Sequence, residues 1–375
     1  MTRARDLGIP FGGIPGPRNA LTDVPGVEVG MVDVVSDENG VSLRTGVTAI
    51  LPLGRDRIGT SVAAGIYSLN GNGELTGSHW IHETGGVASP IMITNTHAVG
   101  TVHRGVVEWT ARNRPELAAE WLLPVVGETW DGYLNSINVD AVTHDHVATA
   151  IDTASASGLR EGSHGGGTGM NCYSFKGGNG TASRLVSFGG VDYTVGVFLQ
   201  ANFGDREELT VAGIPVGDLD MPNPMGDPSW LANDRGAAPG GAGSCIAIIA
   251  TDAPLTPQQC EALARRAPLG LARTGTTGSH FSGDIVLALS TANAGELNSG
   301  FPSVSPEDAA LRSLSFVPWN YLDPFYAAVV EGVEEATLNA LINNETMIGR
   351  SGHTSPALPH DLLVERLATH GRLNP

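Results

Sequence analysis

The stretch Gly240-Gly241-Ala242-Gly243-Ser244-Cys245-Ile246-Ala247-Ile248-Ile249-Ala250-Thr251 sets the terms for the rest of the chain. A run of small residues, in which almost nothing can pack, meets one hydroxyl residue and passes at once into a continuous apolar run that reads as a buried strand. Glycine admits backbone angles closed to other residues and lets other groups come close, so the junction suits a bend just before Ser244. Such a bend brings the Ser244 hydroxyl toward the Gly243 carbonyl. Breaking that peptide bond leaves Ser244 as the first residue of a new chain, carrying a nucleophilic oxygen and a free α-amine together. An α-amine ionises at a pH of about 8, low enough to serve as general base near neutrality, and N-terminal hydroxyl residues are activated in this way. The same residues also suit a flexible loop running into a buried strand, because Gly-Ser is common in loops.

A chain of 375 residues, 41% hydrophobic and 16% charged, has material for a large core, as one large domain or as two intimate halves. Its net charge of −18 argues against nucleic acid or an anionic membrane as partner, since both are bound through excess positive charge, and mildly suits cationic ligands. Cys172, Cys245 and Cys260 are odd in number with no paired spacing, so a reducing compartment is expected rather than a disulfide framework. The first six residues lead into Gly8 and Pro10 rather than into an apolar run, and no stretch is long and apolar enough to span a bilayer. A cytoplasmic location is the expectation.

Along the chain, residues 1–17 read as an extended arm over the body, with Ile9, Phe11 and Ile14 among Gly and Pro. Strands are expected at 23–30, 47–53, 61–69, 91–94, 184–188, 193–200, 245–251 and 285–291, and 122–126 is a further apolar run. Helical spacing marks 99–112, with Val99, Val102, Val106 and Trp109 on one side, and 145–155. Thr256-Pro257-Gln258-Gln259 has capping-box order with proline first, so a helix is expected to 266. A short helix is expected at 305–313 and a long one from Asp323-Pro324, burying Tyr326, Val330, Val333 and Leu341. Gly189-Gly190 reads as a hairpin tip, and Asn70-Gly71-Asn72-Gly73-Glu74 as a hairpin tip or a strand-to-helix corner. Residues 216–243, broken by Pro222, Pro224, Pro228 and Pro239, are expected as a surface lead-in to Ser244, and 360–372 as a last helix or a partner-binding tail. Strands and helices arrive in blocks, which points to layered α+β or α/β/β/α packing over a doubly wound parallel sheet.

Several features that invite chemistry do not carry it. Glycines crowd 162–176, but the GxxxxGK[ST] order is absent and no strand leads straight in, so a nucleotide is not expected. His79 and His82, like His144 and His146, lack nearby cysteines or a zinc-helix pattern and read as solvated, so no metal is expected. Cys245 reads as packing. Gly278-Ser279-His280-Phe281-Ser282-Gly283-Asp284 says more, because it precedes an apolar strand as Ser244 does. Adjacent strand tips would bring Ser244, Ser282 and Asp284 to one edge, where a carboxylate two residues beyond a hydroxyl orients it or steadies a protonated amine. An ordinary polar turn has the same sequence.

Longer blocks follow one another along the chain: Arg3-Ala4-Arg5-Asp6-Leu7-Gly8-Ile9-Pro10, Asn19-Ala20-Leu21-Thr22-Asp23-Val24, Arg44-Thr45-Gly46-Val47-Thr48-Ala49-Ile50-Leu51-Pro52 and Ser68-Leu69-Asn70-Gly71-Asn72-Gly73-Glu74. Then come Gly165-Gly166-Gly167-Thr168-Gly169-Met170, Phe175-Lys176-Gly177-Gly178, Gln200-Ala201-Asn202-Phe203-Gly204, Ala250-Thr251-Asp252-Ala253-Pro254-Leu255 and Gly270-Leu271-Ala272-Arg273-Thr274-Gly275. Through these blocks the chain resembles the self-cleaving aminopeptidase family that contains the L-aminopeptidase/D-amidase-esterases and the β-peptidyl aminopeptidases. The segment 218–243 follows that family only loosely.

The resemblance implies an N-terminal-nucleophile-like α+β fold, a four-layer α/β/β/α sandwich, as a single peptidase domain over 1–375. It implies a cut between Gly243 and Ser244 that leaves an α chain, 1–243, and a β chain, 244–375, associated. Ser244 is then the nucleophile with its amine as base, Ser282 and Asp284 relay and position the proton, and Asn202 helps form an oxyanion hole. Where family members carry glutamate in place of Asp284, the reach here is one methylene shorter. Glu128 would hold the substrate's free amino group, with Trp130 beside it, and Asn72 and Glu74 are further candidates for the pocket lining. The substrate would be a small peptide, amide or ester with a free amino group, hydrolysed without metal or cofactor by a homotetramer of αβ units. Which of α-, β- or D-residues is preferred stays open. Hydrolysis of another amide, such as a pantetheine-like compound, acyl transfer, and a non-catalytic binding role on the same fold are the alternatives.

Overall fold

The strands that build the core are β1 (Glu28–Glu38), β2 (Val41–Leu51), β3 (Val62–Ser68), β4 (Gly86–Val87), β5 (Ile91–Asn95), β6 (Val125–Thr129), β7 (Gly178–Phe188), β8 (Val191–Asn202), β9 (Gly243–Thr251) and β10 (Ser282–Ser290). They appear in a computed structural model that describes residues 2–226 and 243–374. Most of the expected lead-in, 227–242, therefore lies outside the described residues. A four-stranded sheet of order β1-β2-β5-β6 faces a six-stranded sheet of order β4-β3-β10-β9-β8-β7. Between them Ile246, Ile248 and Phe198 pack on Ile50, Ile91 and Ile93.

Helices cover both outer faces. The helices α1 (Val99–Asn113) and α2 (His144–Asp152) set Val102, Val106, Trp109, Val147 and Ile151 against Val47, Met92 and Val126 of the smaller sheet. On the larger sheet lie α3 (Pro257–Ala264), α4 (Ala267–Ala272), α5 (Asp323–Ile342) and α6 (His360–Thr369), whose buried side chains meet Val195, Val197, Ala247 and Ile249. The residues of β9 thus alternate between the inter-sheet core and the helix layer. Both faces are buried, which is why its sequence runs apolar without a break. The result is the four-layer α/β/β/α sandwich.

Local rules account for most boundaries. The β1–β2 hairpin turns at Asn39 and Gly40, and the β7–β8 hairpin at Gly189 and Gly190, all with positive φ, as type I′ turns require. At the start of α3 the Thr256 hydroxyl accepts from the Gln259 N–H at 3.3 Å while the Gln259 side chain accepts from Thr256 N–H at 3.0 Å.

Three expectations need correction or choice. No doubly wound parallel sheet forms: among the described residues of the two sheets, only β5–β6 and β9–β10 run parallel, and the other neighbours run antiparallel, two of those pairs through tight hairpins that have no room for the crossover a parallel pair needs. The helix expected at 305–313 is absent. That segment makes a single turn, with the Ser305 hydroxyl on the Asp308 carboxylate at 2.8 Å, and its residues are exposed, so no buried face offsets the cost of nucleating a helix. Residues 360–369 are a packed helix, with Leu363 and Leu367 in the core.

The amino-terminal arm is tied down by charge. Glu335 on α5 accepts from Arg5 at 2.8 and 2.9 Å, from Asn19 at 2.5 Å and from Arg184 of β7 at 2.7 Å. Burial alone pushes the Glu335 carboxyl up, but Arg5, Arg184 and Asn19 outweigh it and hold it below the usual range. Its stabilisation is therefore present above the ordinary carboxylate pKa and is lost as pH falls through the lowered value. Glu335→Ala takes from the buried Arg184 guanidinium its nearest carboxylate, leaving Glu331 at 3.6 Å and main-chain carbonyls, and takes from Arg5 its carboxylate as well. A loss of about 3–5 kcal/mol is expected in urea unfolding at neutral pH, shrinking in acid where the wild-type carboxyl is protonated.

Candidate active site

Ser244 is the second residue of β9, and register decides what surrounds it. Asn202 at the end of β8 is its cross-strand partner on one side and Gly283 of β10 on the other. The same parallel register sets Ser282 beside Gly243 and Asp284 beside Cys245. Ser244 is 2% exposed, and its Oγ has no hydrogen-bond partner among the described residues. Leaving a buried hydroxyl unpaired costs about 1–3 kcal/mol; the Ser61 and Ser355 hydroxyls share that state, and Ser244 differs from them in standing at a strand head opposite Asn202. At Gly243 an added Cβ would lie 1.9 Å from the Asn202 carbonyl oxygen, so the close approach of β8 admits glycine alone.

On the β10 side the Ser282 hydroxyl donates to Asp284 Oδ1 at 2.7 Å, and both residues are buried. Burial raises the Asp284 carboxyl, against hydrogen bonds from Ser282 and Asn70 that favour its ionised form. On the β8 side Asn202 Oδ1 accepts the main-chain N–H of Asn171 at 2.9 Å. That bond fixes which end of the amide is which and turns the NH₂ group away from Asn171.

Asn171 belongs to a short hairpin, Asn171–Cys172 with Phe175–Lys176, and this hairpin is pinned by the one lysine in the sequence. The wholly buried Lys176 Nζ donates to the carbonyls of Met170 at 2.6 Å and Gly177 at 2.9 Å. Burial draws its pKa down to about 7. Nearby Asp131, just beyond β6 and also wholly buried, is pushed up to about 7 by the same cause.

Glu128, near the end of β6, is 3% exposed. Its Oε1 accepts the Glu74 N–H at 3.0 Å, and its Oε2 accepts the Thr96 hydroxyl. Burial raises its pKa, and the Glu74 charge adds to the rise, while Thr96 and the Glu74 N–H oppose it. A carboxylate offers about four lone-pair sites, so these two donors leave capacity for a cation.

The loop that supplies the Glu74 N–H also reaches β10, where Asn72 Nδ2 donates to the Phe281 carbonyl at 2.9 Å and Asn72 N–H to the Ser282 carbonyl at 3.1 Å. It leads from β3 into the helix Ser78–Thr84, and so is the strand-to-helix corner. Asn72 and Glu74 are exposed, and Trp130 lies half-exposed with its ring over Gly132. The residues expected from sequence therefore gather at one end of the two sheets. Asn70, Thr96, Asn171 and Lys176 join them unanticipated. In the sequence Asn70 reads as a turn former and as part of the Ser68–Glu74 block, and Lys176 carries the signal of being the single lysine.

Among the described residues no cluster of His, Cys, Asp or Glu is arranged to hold a metal ion. His144 instead meets Glu108 at 2.8 Å, and His146 accepts the Thr143 N–H at 3.1 Å. The three cysteines are free and buried. No helix among the described residues is long and apolar enough to cross a membrane.

Two facing sheets between helix layers, with a buried serine at the head of a central strand, define an N-terminal-nucleophile hydrolase. The chain belongs to peptidase family S58, whose model matches residues 19–355, and it is a serine-type aminopeptidase of that fold. The β-peptidyl aminopeptidase BapA of Sphingosinicella microcystinivorans is 45% identical over 380 residues, covering 99% of this chain and 93% of that protein. The L-aminopeptidase D-Ala-esterase/amidase of Ochrobactrum anthropi, described as a prototype for the serine aminopeptidases and a variant of the Ntn hydrolase fold, superposes with a TM-score of 0.87 at 42% identity over 100% of both chains. A β-aminopeptidase from a Burkholderia species gives a TM-score of 0.88 at 41% identity over 99% of each chain.

The contact at Gly243 makes a direct prediction. In Gly243→Ala the methyl group displaces the head of β9 from β8, and formation of two fragments on a denaturing gel is expected to slow at least about tenfold. Unchanged fragment formation would show that the strand head tolerates a side chain.

Proposed function

We propose that the chain is a precursor that cuts itself between Gly243 and Ser244 and then works as an aminopeptidase through the new N-terminus. The observation that carries this reading is the buried, unpartnered Ser244 hydroxyl at the strand head, between Asn202 and the Ser282–Asp284 pair. In the precursor, Ser244 Oγ attacks the Gly243 carbonyl carbon and its proton moves toward the Ser244 nitrogen, beside which the Ser282–Asp284 pair stands on the neighbouring strand. The C–N bond breaks, the nitrogen takes a proton, and water hydrolyses the resulting ester. The products are a Gly243 carboxylate and a free Ser244 amine.

In the mature enzyme that amine takes the Oγ proton as Oγ adds to the substrate's acyl carbon. The Asn202 NH₂ stabilises the oxyanion, and donors of this kind are worth about 3–4 kcal/mol. The amine then gives its proton to the leaving nitrogen, and water releases the acyl group from Ser244. Glu128 receives the substrate's ammonium, which restricts hydrolysis to the first residue of small peptides, amides or esters, and Trp130, Asn72 and Glu74 border the pocket. The names of the relatives support β-peptides, L-amino-acid amides and D-alanyl esters or amides as substrates to try. We further infer a cytoplasmic homotetramer of αβ units. The exposed apolar side chains Trp121, Phe301, Leu311 and Phe316 are surface that association would cover, and light scattering tests it.

The single buried lysine gives a clean test. In the native protein an amine-reactive reagent can reach α-amines alone, so an intact chain takes one label and the processed enzyme takes a second on Ser244, losing activity with it. Ser244→Ala is expected to stay one chain with one label. Full activity from a continuous backbone sinks the proposal.

Glu128→Gln separates amine recognition from turnover. A charge-assisted hydrogen bond is worth about 1.5–3 kcal/mol, so kcat/KM for free-amine substrates should fall about 10–150-fold, mainly through KM. Because burial raises the Glu128 carboxyl, the wild-type KM is expected to climb as pH falls into that raised range. The variant should show a flat KM.

A further inference from the structure

Asp284 is held from both sides, and only one of the two holders belongs to the machinery described above. Ser282 occupies Oδ1, while Oδ2 accepts the Asn70 Nδ2 at 2.8 Å. The same Asn70 amide accepts the Asp284 main-chain N–H on its Oδ1 at 2.5 Å and donates to the Ser279 carbonyl at 3.1 Å. Main-chain bonds flank this clamp: Leu69 N–H donates to the Asp284 carbonyl at 3.0 Å and Asn72 N–H to the Ser282 carbonyl at 3.1 Å. Contact this close is possible because two glycines meet, a Cβ at Gly283 falling 2.4 Å from the Asn72 carbonyl oxygen. The loop then runs on to Glu74, whose N–H holds Glu128.

We propose that Asn70 is the positioning residue of the Ser282–Asp284 pair, setting the carboxylate's rotation so that Oδ1 faces the Ser282 hydroxyl and favouring its ionised form by donating to Oδ2. The proposal rests on the reading of Ser282 and Asp284 given above. A primary amide suits the task because it donates to a carboxylate and accepts from a main-chain N–H at once, and it does not titrate. Aspartate has the same shape but sets a second carboxyl against Oδ2, where two carboxylates share one proton and do not both ionise without repulsion.

The test compares wild type with Asn70→Asp, Asn70→Ala and Asp284→Ala, each checked for wild-type melting behaviour, by following kcat, KM and the rate of self-cleavage against pH. Asn70→Ala is expected to lower kcat about 10–100-fold with KM for a free-amine substrate nearly unchanged. Asn70→Asp is expected to approach wild-type turnover in acid, where the pair keeps its shared proton, and to lose it as pH rises and that proton leaves. This descending limb is not expected of wild-type turnover, and a merely structural role would not produce it. Where processing itself stalls, the cleavage rate is read against pH in the same way, and if Asn70→Ala fails to fold, the Asn70→Asp profile decides. Wild-type pH profiles for the Asn70 variants beside an inactive Asp284→Ala overturn the role of Asn70 alone. Wild-type turnover in Asp284→Ala overturns the reading of the pair and the proposal with it.

Discussion

The pairing of β9 with β8 on one side and β10 on the other is the interaction on which the site depends. Side chains along a strand alternate between faces, so a slip of one residue would exchange the inter-sheet set, Ile246 and Ile248, with the helix-facing set, Ala247 and Ile249. Both sets are wholly buried, and their volumes differ, which penalises the slip from two cores at once. The register that the cores enforce is the one that puts Ser244 between Asn202 and Gly283. Hydrophobic packing in the middle of the sandwich thereby aligns polar groups at its end.

Around that end the polar groups are satisfied by main chain more often than by one another. Asn202 is set by an Asn171 N–H, Glu128 by a Glu74 N–H, and Lys176 by two carbonyls. Backbone partners do not titrate and move only with their whole segment, so the geometry they impose is stiff. The buried Lys176 is a costly way to pin a hairpin, since desolvation opposes its charge. Its two short bonds to carbonyls are what the cost secures.

Much of this was legible in the residues because local rules and global packing agree. The unbroken apolar run after Ser244 marked a strand buried on both faces, Thr256 and Gln259 announced a helix start, and Gly189-Gly190 a hairpin. Ser244 and Ser282 stand out because each just precedes an apolar strand, whereas Asn202 is legible only through the block Gln200–Gly204. What escaped is equally physical. The segment 305–313 has a helix-start pattern but nothing to pack against, and strand direction is set by connections that composition does not encode. Asn70 was hidden by its neighbours: beside Gly71 it has the signature of a turn, and only the fold reveals that the turn lands on Asp284.

The order of strands has a consequence for the life of the molecule. The strands β9 and β10 fill the middle of the larger sheet, flanked by β3 and β8 from the earlier part of the chain. With the proposed cut at 243–244, the first piece keeps the four-stranded sheet whole but the six-stranded sheet is divided between the two pieces, and refolding would become an encounter between two chains that each expose apolar strand edges. On that reading the precursor would be the form able to renature. The working enzyme would persist only as long as its unfolding barrier lasts, so its durability is a matter of rate and not of equilibrium.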